Sequence, residues 1–312
     1  GKITLRIRLP DALRGEFGNF LVIPNLSFAY GQAAILASLH DCEQRRLLKG
    51  QKFDSYKGHG SALCYRIKRD KKGWRVFVST SIEEPVWVTR SHNGVVGLDI
   101  NVNHIALMET DRSGNPIQDH TIPLDLYGKN QQQALALIGD ACAHAVEIAR
   151  KAGKDLVIEK LDFSAKRANL AELNDAQRSR TLSSFAYGKI IGALNSRAWR
   201  QGVRCHEVNP AFTSLIGRVN YAKRYGLTIH HAAALCIGRR FCGFSEQPSR
   251  HLDAIPDGKG GHVAFPVPVR NRGKHVWSLW RKINQKLRVV LVAQFRAAKR
   301  RSTGPRKPAC VT

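Results

Sequence analysis

The chain has 312 residues, 43% of them hydrophobic, and 50 Lys and Arg against 24 Asp and Glu give a formal net charge of +26. Such length and apolar content suit one large core or two smaller ones and exclude a disordered chain; no apolar run approaches the ~18 residues of a membrane span. A basic excess of this size points to a polyanionic partner, nucleic acid first, through phosphate contacts and counterion release.

The chain opens Gly-Lys-Ile-Thr, with no initiator Met and no signal-peptide pattern, and reads as a domain lacking its N-terminal part. Residues 2–9 alternate apolar and polar, which predicts a half-buried strand. Residues 26–48 read as a helix, with Ala33, Ile35, Leu36, Leu39 and Cys42 on its apolar side and Gly50 as its stop. Residues 63–78 read as a hairpin about the turn Asp70-Lys71-Lys72-Gly73. Its polar face and turn carry Arg66, Lys68, Arg69, Lys71, Lys72 and Arg75. A solvated edge protected by charge and a ribbon facing nucleic acid both fit that pattern.

The stretch from Asn93 to Leu107 organises the rest of the chain. Val95-Val96-Gly97-Leu98 ends on Asp99, a polar turn holds Asn101 and Asn103, and Ile105-Ala106-Leu107 runs back. A third strand is expected near 117–122, then a long helix over 130–154 ended by Gly153. The apolar run Leu156-Val157-Ile158 again delivers an acid, Glu159. A helix over 182–200, a strand over 203–208 and a helix opened by Gly226-Leu227-Thr228-Ile229-His230-His231 complete the series. Three strands, helix, strand, helix, strand, helix is the order of an RNase H-like α/β domain, a mixed sheet flanked by helices. Residues 243–270, rich in Pro, Gly and His, read as loop. A basic helix over 277–301 has Leu279, Ile283, Leu287, Val290 and Val292 on its apolar side, and the last residues read as disordered. Seven scattered cysteines, none in a Cys-x-x-Cys pair, indicate reduced thiols in a cytosolic setting and no zinc ribbon.

An Asp at a strand end is ordinarily a turn residue. Two buried-looking strands that each end on an acid are also what a divalent-metal site needs, because hard cations take oxygen ligands held on rigid elements. Two such cations ~4 Å apart can activate water and stabilise the leaving oxygen of a phosphodiester. The third acid of such a site belongs on the helix after Val208, yet no Asp or Glu lies between Asn209 and Phe244; His230 and His231 stand there instead. Either imidazole serves as an active-site group or as a satisfied core or capping histidine. Asp253 and Asp257 are weaker stand-ins from the tail, and Asp162 reads as a strand-end acid. Lys166 and Arg167, with Arg178 and Arg180, form a basic group after the Glu159 strand that suits either solvated surface or a grip on a phosphate backbone beside the expected site. Arg218, Lys223 and Arg224, interleaved with Tyr221 and Tyr225, suit either solvated surface or a single-strand grip.

Gly97-Leu98-Asp99-Ile100, Val157-Ile158-Glu159-Lys160-Leu161 and Val208-Asn209-Pro210-Ala211-Phe212-Thr213-Ser214 resemble signature blocks of the RuvC-like domain. The group they resemble is the transposon-encoded TnpB (OrfB) proteins and the related type V CRISPR effectors, over roughly residues 60–242. Tyr225-Gly226-Leu227, followed by His230 and Ala232-Ala233-Ala234, is similar to a stretch of the TnpB-related accessory proteins. The resemblance implies a wedge-like or OB-like β-rich domain over 1–92, a RuvC-like domain over 93–242 and a basic extension over 243–312. It implies an RNA-guided DNA endonuclease that uses Mg2+ or Mn2+, with DNA and guide RNA as partners and the basic hairpin on the guide. Asp99 and Glu159 match the first and second catalytic acids, and the family's last acid falls on His230. Two departures stand out. A short Arg- and Lys-rich segment replaces the family's zinc ribbon, and the third acid is gone. A nuclease-inactive RNA-guided DNA-binding protein is therefore the rival reading; nothing in the sequence supports a strand transferase.

Overall fold

The computed structural model describes residues 2–47, 63–71, 73–80, 84–160, 175–244, 246–249, 252, 254–258 and 260–302. Lys72, Asp162, Lys166, Arg167, Asp253 and the tail after 302 lie outside these residues, as do the side chains of Arg178 and Arg180. The chain divides into two units, Gly1–Glu84 and Pro85–Thr312.

In the first unit, the alternation at the start of the chain forms β1 (Ile3–Arg8), antiparallel to β2 (Phe20–Leu26). A short helix, α1 (Arg14–Phe17), lies between them. β2 was not anticipated. Pro24 and Asn25, the latter in the left-handed region at φ 58°, are turn-type residues that masked its apolar run. The helix expected from residue 26 begins later, as α2 (Gln32–Leu47). The basic hairpin forms β3 (Cys64–Asp70) and β4 (Gly73–Ser79), a separate two-stranded sheet. Arg66, Lys68 and Lys71 are exposed on it, with the Arg66 guanidinium 5.2 Å from the Phe77 ring centre.

The second unit is built on a five-stranded mixed sheet in the order β7-β6-β5-β8-β9. Its strands are β5 (Val95–Ile100), β6 (His104–Thr110), β7 (Pro116–Pro123), β8 (Asp155–Glu159) and β9 (Cys205–Val208). β5, β6 and β7 are antiparallel neighbours; β8 runs parallel to β5, and β9 parallel to β8. The two parallel joins need crossovers, supplied by α3 (Gln131–Ala152) and α4 (Asp175–Arg200). Asn130 and Gln133 cap α3 reciprocally, and Gly153 closes it in the left-handed conformation. This is an α/β fold with the RNase H-like order of elements, as the sequence indicates.

Both faces of the sheet are covered. Val96, Leu98, Ile105, Leu107, Leu156 and Ile158 pack on α3 and α4. On the other face lies α7 (Ile229–Phe241), reached from β9 through α5 (Thr213–Ile216), a π-helical turn Gly217–Ala222 and α6 (Lys223–Tyr225). The tail joins this layer. Leu279, Trp280, Ile283 and Leu287 of α8 (Val276–Ser302) are buried with Leu235 and Tyr221. Val292, off the stripe set by Leu279, Ile283, Leu287 and Val290, is exposed. Residues 85–92 also belong to this unit, tied by Val88 N–H to Gly202 O at 2.8 Å and Arg90 N–H to Gly153 O at 3.1 Å. No helix among the described residues is long and apolar enough to cross a membrane.

Candidate functional site

Asp99 and Glu159 end two adjacent parallel strands. β5 and β8 pair Gly97 with Val157, and two residues further on in each strand stand Asp99 and Glu159. Each side chain is held. Asn101 Nδ2 donates to Asp99 Oδ2 at 3.1 Å from the turn after β5. The Thr213 hydroxyl, at the start of α5, donates to Glu159 Oε1. Burial raises the Glu159 carboxyl above the ordinary carboxylate range; Thr213 opposes this, and the Asp99 charge adds to it. The Tyr187 hydroxyl is raised as well, by burial first and then by Glu159 and Asp99.

His230 reaches the pair from the first turn of α7. Its Nδ1 lies 3.2 Å from Asp99 Oδ2, and its ring meets the His104 ring edge-on at 4.9 Å. Burial, and next His230, lower the pKa of His104, which favours its neutral form. α7 lies this close because β5 and α7 meet at glycines: a Cβ on Gly97 would stand 2.0 Å from Ala234 O. Gly97 thus permits the approach that sets His230 on Asp99.

His231 goes elsewhere. It is buried, with Nε2 3.0 Å from Thr121 Oγ1 and 3.1 Å from His120 O, and Nδ1 3.0 Å from Thr228 Oγ1. It locks α7 to β7 and is not brought to the acid pair. The reason is helical geometry: successive residues point about 100° apart.

Two expected nucleic-acid contacts are also turned inward. Tyr221 is buried, and its hydroxyl pairs with Glu246. Arg218 Nε donates to Pro256 O at 2.6 Å, and burial lowers its pKa. Lys223 and Arg224 are exposed. Asp257 Oδ1 accepts from Gly261 N–H at 2.8 Å, in the tail loop that also faces Arg218. Sequence reasoning assigned no role to Asn101, Thr213, His104 or Tyr187. Thr213 lay inside a motif noted only as a block, and Asn101 read as a turn residue.

Two neighbouring carboxylates fit Mg2+, which commonly takes one or two carboxylates and fills its other positions with water and phosphate oxygens. A cation would also remove the penalty that burial and mutual repulsion place on ionising Glu159. Among the described residues, no group of three or more His, Cys, Asp and Glu side chains is arranged to hold a metal ion. The six cysteines there are free thiols.

No protein-family profile and no curated protein matches the chain. Among solved structures, T. thermophilus RuvC in complex with Holliday junction substrate is similar over 47% of this chain and 90% of its own, at 14% identity and TM-score 0.33. A further Thermus thermophilus RuvC structure is similar over 50% of this chain and 99% of its own, at 14% identity and TM-score 0.33. An inorganic polyphosphate/ATP-glucomannokinase from Arthrobacter sp. strain KM covers 41% of this chain and 48% of its own, at 17% identity and TM-score 0.25. Similarity of this degree establishes neither family nor activity.

Proposed function

We propose that this chain is a metal-dependent nuclease that hydrolyses DNA phosphodiesters under the direction of a guide RNA, with Asp99 and Glu159 holding Mg2+ or Mn2+. The observation that carries this reading is the meeting of those two acids, 60 positions apart, at the ends of paired parallel strands. The net charge of +26 supports a nucleic-acid substrate. DNA and guide RNA rest on the resemblance of the motifs to TnpB proteins, with Arg66, Lys68 and Lys71 of the exposed hairpin as the guide contact.

When bound, a divalent cation neutralises charge on the scissile phosphate and eases deprotonation of the attacking water. The protein's own groups do the rest. Asn101 and Thr213 fix the two carboxylates in place. His230, with Nδ1 on Asp99, leaves Nε2 free of that contact to give a proton to the departing oxygen when charged. Beside it, His104 has its pKa lowered by burial first and then by His230, which disfavours a second positive charge there.

One observation favours a second reading, a non-cleaving RNA-guided DNA binder. His230 occupies the place of the family's third acid, and imidazole is a poorer ligand than carboxylate for Mg2+. The two readings part in a single assay: full-length protein with its associated RNA and labelled DNA, in Mg2+ and in Mn2+. Cutting that falls at least about a hundredfold in Asp99→Ala supports the nuclease. Tight binding with no cut in either metal supports the binder and overturns the proposal.

A further inference from the structure

One side of α8 is buried by Leu279, Trp280, Ile283 and Leu287, and the other side is open. Successive residues of a helix turn by about 100°, which sets Gln285 opposite the line between Ile283 and Leu287. Val289, Val292 and Arg296 follow Gln285 along the middle of the open side, as a ridge. Arg281 and Arg288 flank this ridge on one side, Lys282 and Lys286 on the other. All eight residues are exposed. The helix also reaches past the core it packs on. Val290 and Leu291 are partly buried against that core, yet Gln294, on the same side as Ile283 and Leu287, is exposed.

This open side differs from an ordinary solvated face in two respects. A solvated helix mixes both signs of charge and pairs them three or four residues apart. No Asp or Glu occurs between Val276 and Ser302, and among the described residues none of the five cations makes an ion pair. The outer face of a solvated helix is also polar, whereas Val289 and Val292 stand 69% and 49% exposed on the ridge. An apolar and amide ridge between two rows of cations suits a groove that has base edges on its floor and phosphates on both walls. A helix about 10–12 Å across fits the B-form major groove, about 12 Å wide; the A-form major groove of duplex RNA is too narrow. No aromatic residue is exposed among the described residues of α8, so it offers no platform for unpaired bases. We propose that α8 lies with this side in the major groove of double-stranded DNA, its cation rows on the two phosphate walls.

The helix is anchored next to the acid pair. At its start the Trp277 ring meets the Phe212 ring edge-on at 6.4 Å, and the next residue, Thr213, donates to Glu159. Duplex binding at α8 breaks no bond and needs neither a guide nor a cation. It goes beyond the hydrolytic reading, so either proposal can fail while the other stands.

The test uses the full chain in chelator, so that nothing is cut, and follows fluorescence anisotropy with a short labelled DNA duplex. Arg281→Glu with Arg288→Glu reverses one row, and Lys282→Glu with Lys286→Glu the other. Each is expected to lower duplex affinity at least about tenfold. Arg112→Glu with Lys129→Glu makes the same change of charge on two exposed loops of the second unit and should have less than about a third of that effect. Both row reversals should weaken binding to the DNA duplex more than binding to an RNA duplex or a DNA single strand of the same sequence. Methyl green, which occupies the major groove, should displace the protein, and netropsin, which occupies the minor groove, should not. The proposal is overturned if the duplex does not bind or if row and loop reversals weaken binding equally. It is overturned equally if the losses are as large with RNA or single strand, or if methyl green fails to compete. Melting curves check folding, and alanine pairs at the same positions replace any reversal that does not fold.

Discussion

Glu159 is the residue on which stability and the proposed activity pull apart. Its carboxyl is held above the usual range by burial first and by Asp99 as well, so the folded state binds this proton more tightly than the unfolded chain does. That contribution is fully present below the unfolded value of about 4.3 and is lost as pH rises through the folded one. Glu159→Gln is expected to melt higher than the parent near neutral pH, with the gap closing towards pH 4, as followed by circular dichroism in chelator. Added Mg2+ or Mn2+ should raise the parent's melting temperature and leave Glu159→Gln unmoved, because only a protein that binds the ion gains from it. An equal rise in both would exclude Glu159 as a ligand of the proposed metal ion. Lys154 makes the opposite case. It is 6% exposed, with its ammonium 2.8 Å from Glu109 and 2.7 Å from Thr110 O. Lys154→Ala leaves Glu109 half-buried without this partner and is expected to cost about 3–5 kcal/mol in urea unfolding.

At the scale of elements, the contact between β5 and α7 decides whether the site exists. A methyl group at Gly97 meets the α7 backbone at 2.0 Å, and backbone cannot turn aside as a side chain can. Gly97→Ala is expected to cost ~1–3 kcal/mol or more. By lifting α7 it should also separate His230 from Asp99, so the proposed cleavage should fall further than the lost stability explains. Comparing rates at a temperature where both proteins are fully folded checks this. The α8 helix is equally structural. Trp280 is fully buried against the α7 layer, and Trp280→Ala should cost about 3–5 kcal/mol, measurable by denaturant titration. A basic helix read from composition as an extension thus closes the core of the second unit, because its apolar stripe at Leu279, Ile283 and Leu287 needs a partner face.

For the whole molecule the controlling quantity is charge. With +26 spread over 312 residues, association with nucleic acid should weaken steeply and log-linearly with salt, by about 0.9 in slope for each duplex phosphate neutralised. Binding isotherms from about 50 to 200 mM salt measure that slope, and a flat dependence would exclude phosphate contact as the main source of affinity.

Periodicity and chain order by themselves determined much of this protein. Alternating and helical spacings set out the strands and long helices from Val95 to Phe241, though not the helical run from Thr213 to Tyr225. Apolar runs that end on Asp99 and Glu159 marked where acids would emerge, because strand ends are local properties of a chain. β2 escaped, since Pro24 and Asn25 speak locally for a turn while pairing with β1 holds the strand. Tertiary packing alone decided which neighbouring side chain faces which partner. His230 and His231 are identical in type and adjacent in sequence, yet one meets Asp99 and the other seals against β7. Tyr221 and Arg218 read as surface in a basic segment, yet the tail folds over them. Such choices depend on contacts between residues far apart in the chain, which no local pattern of apolar and polar residues records.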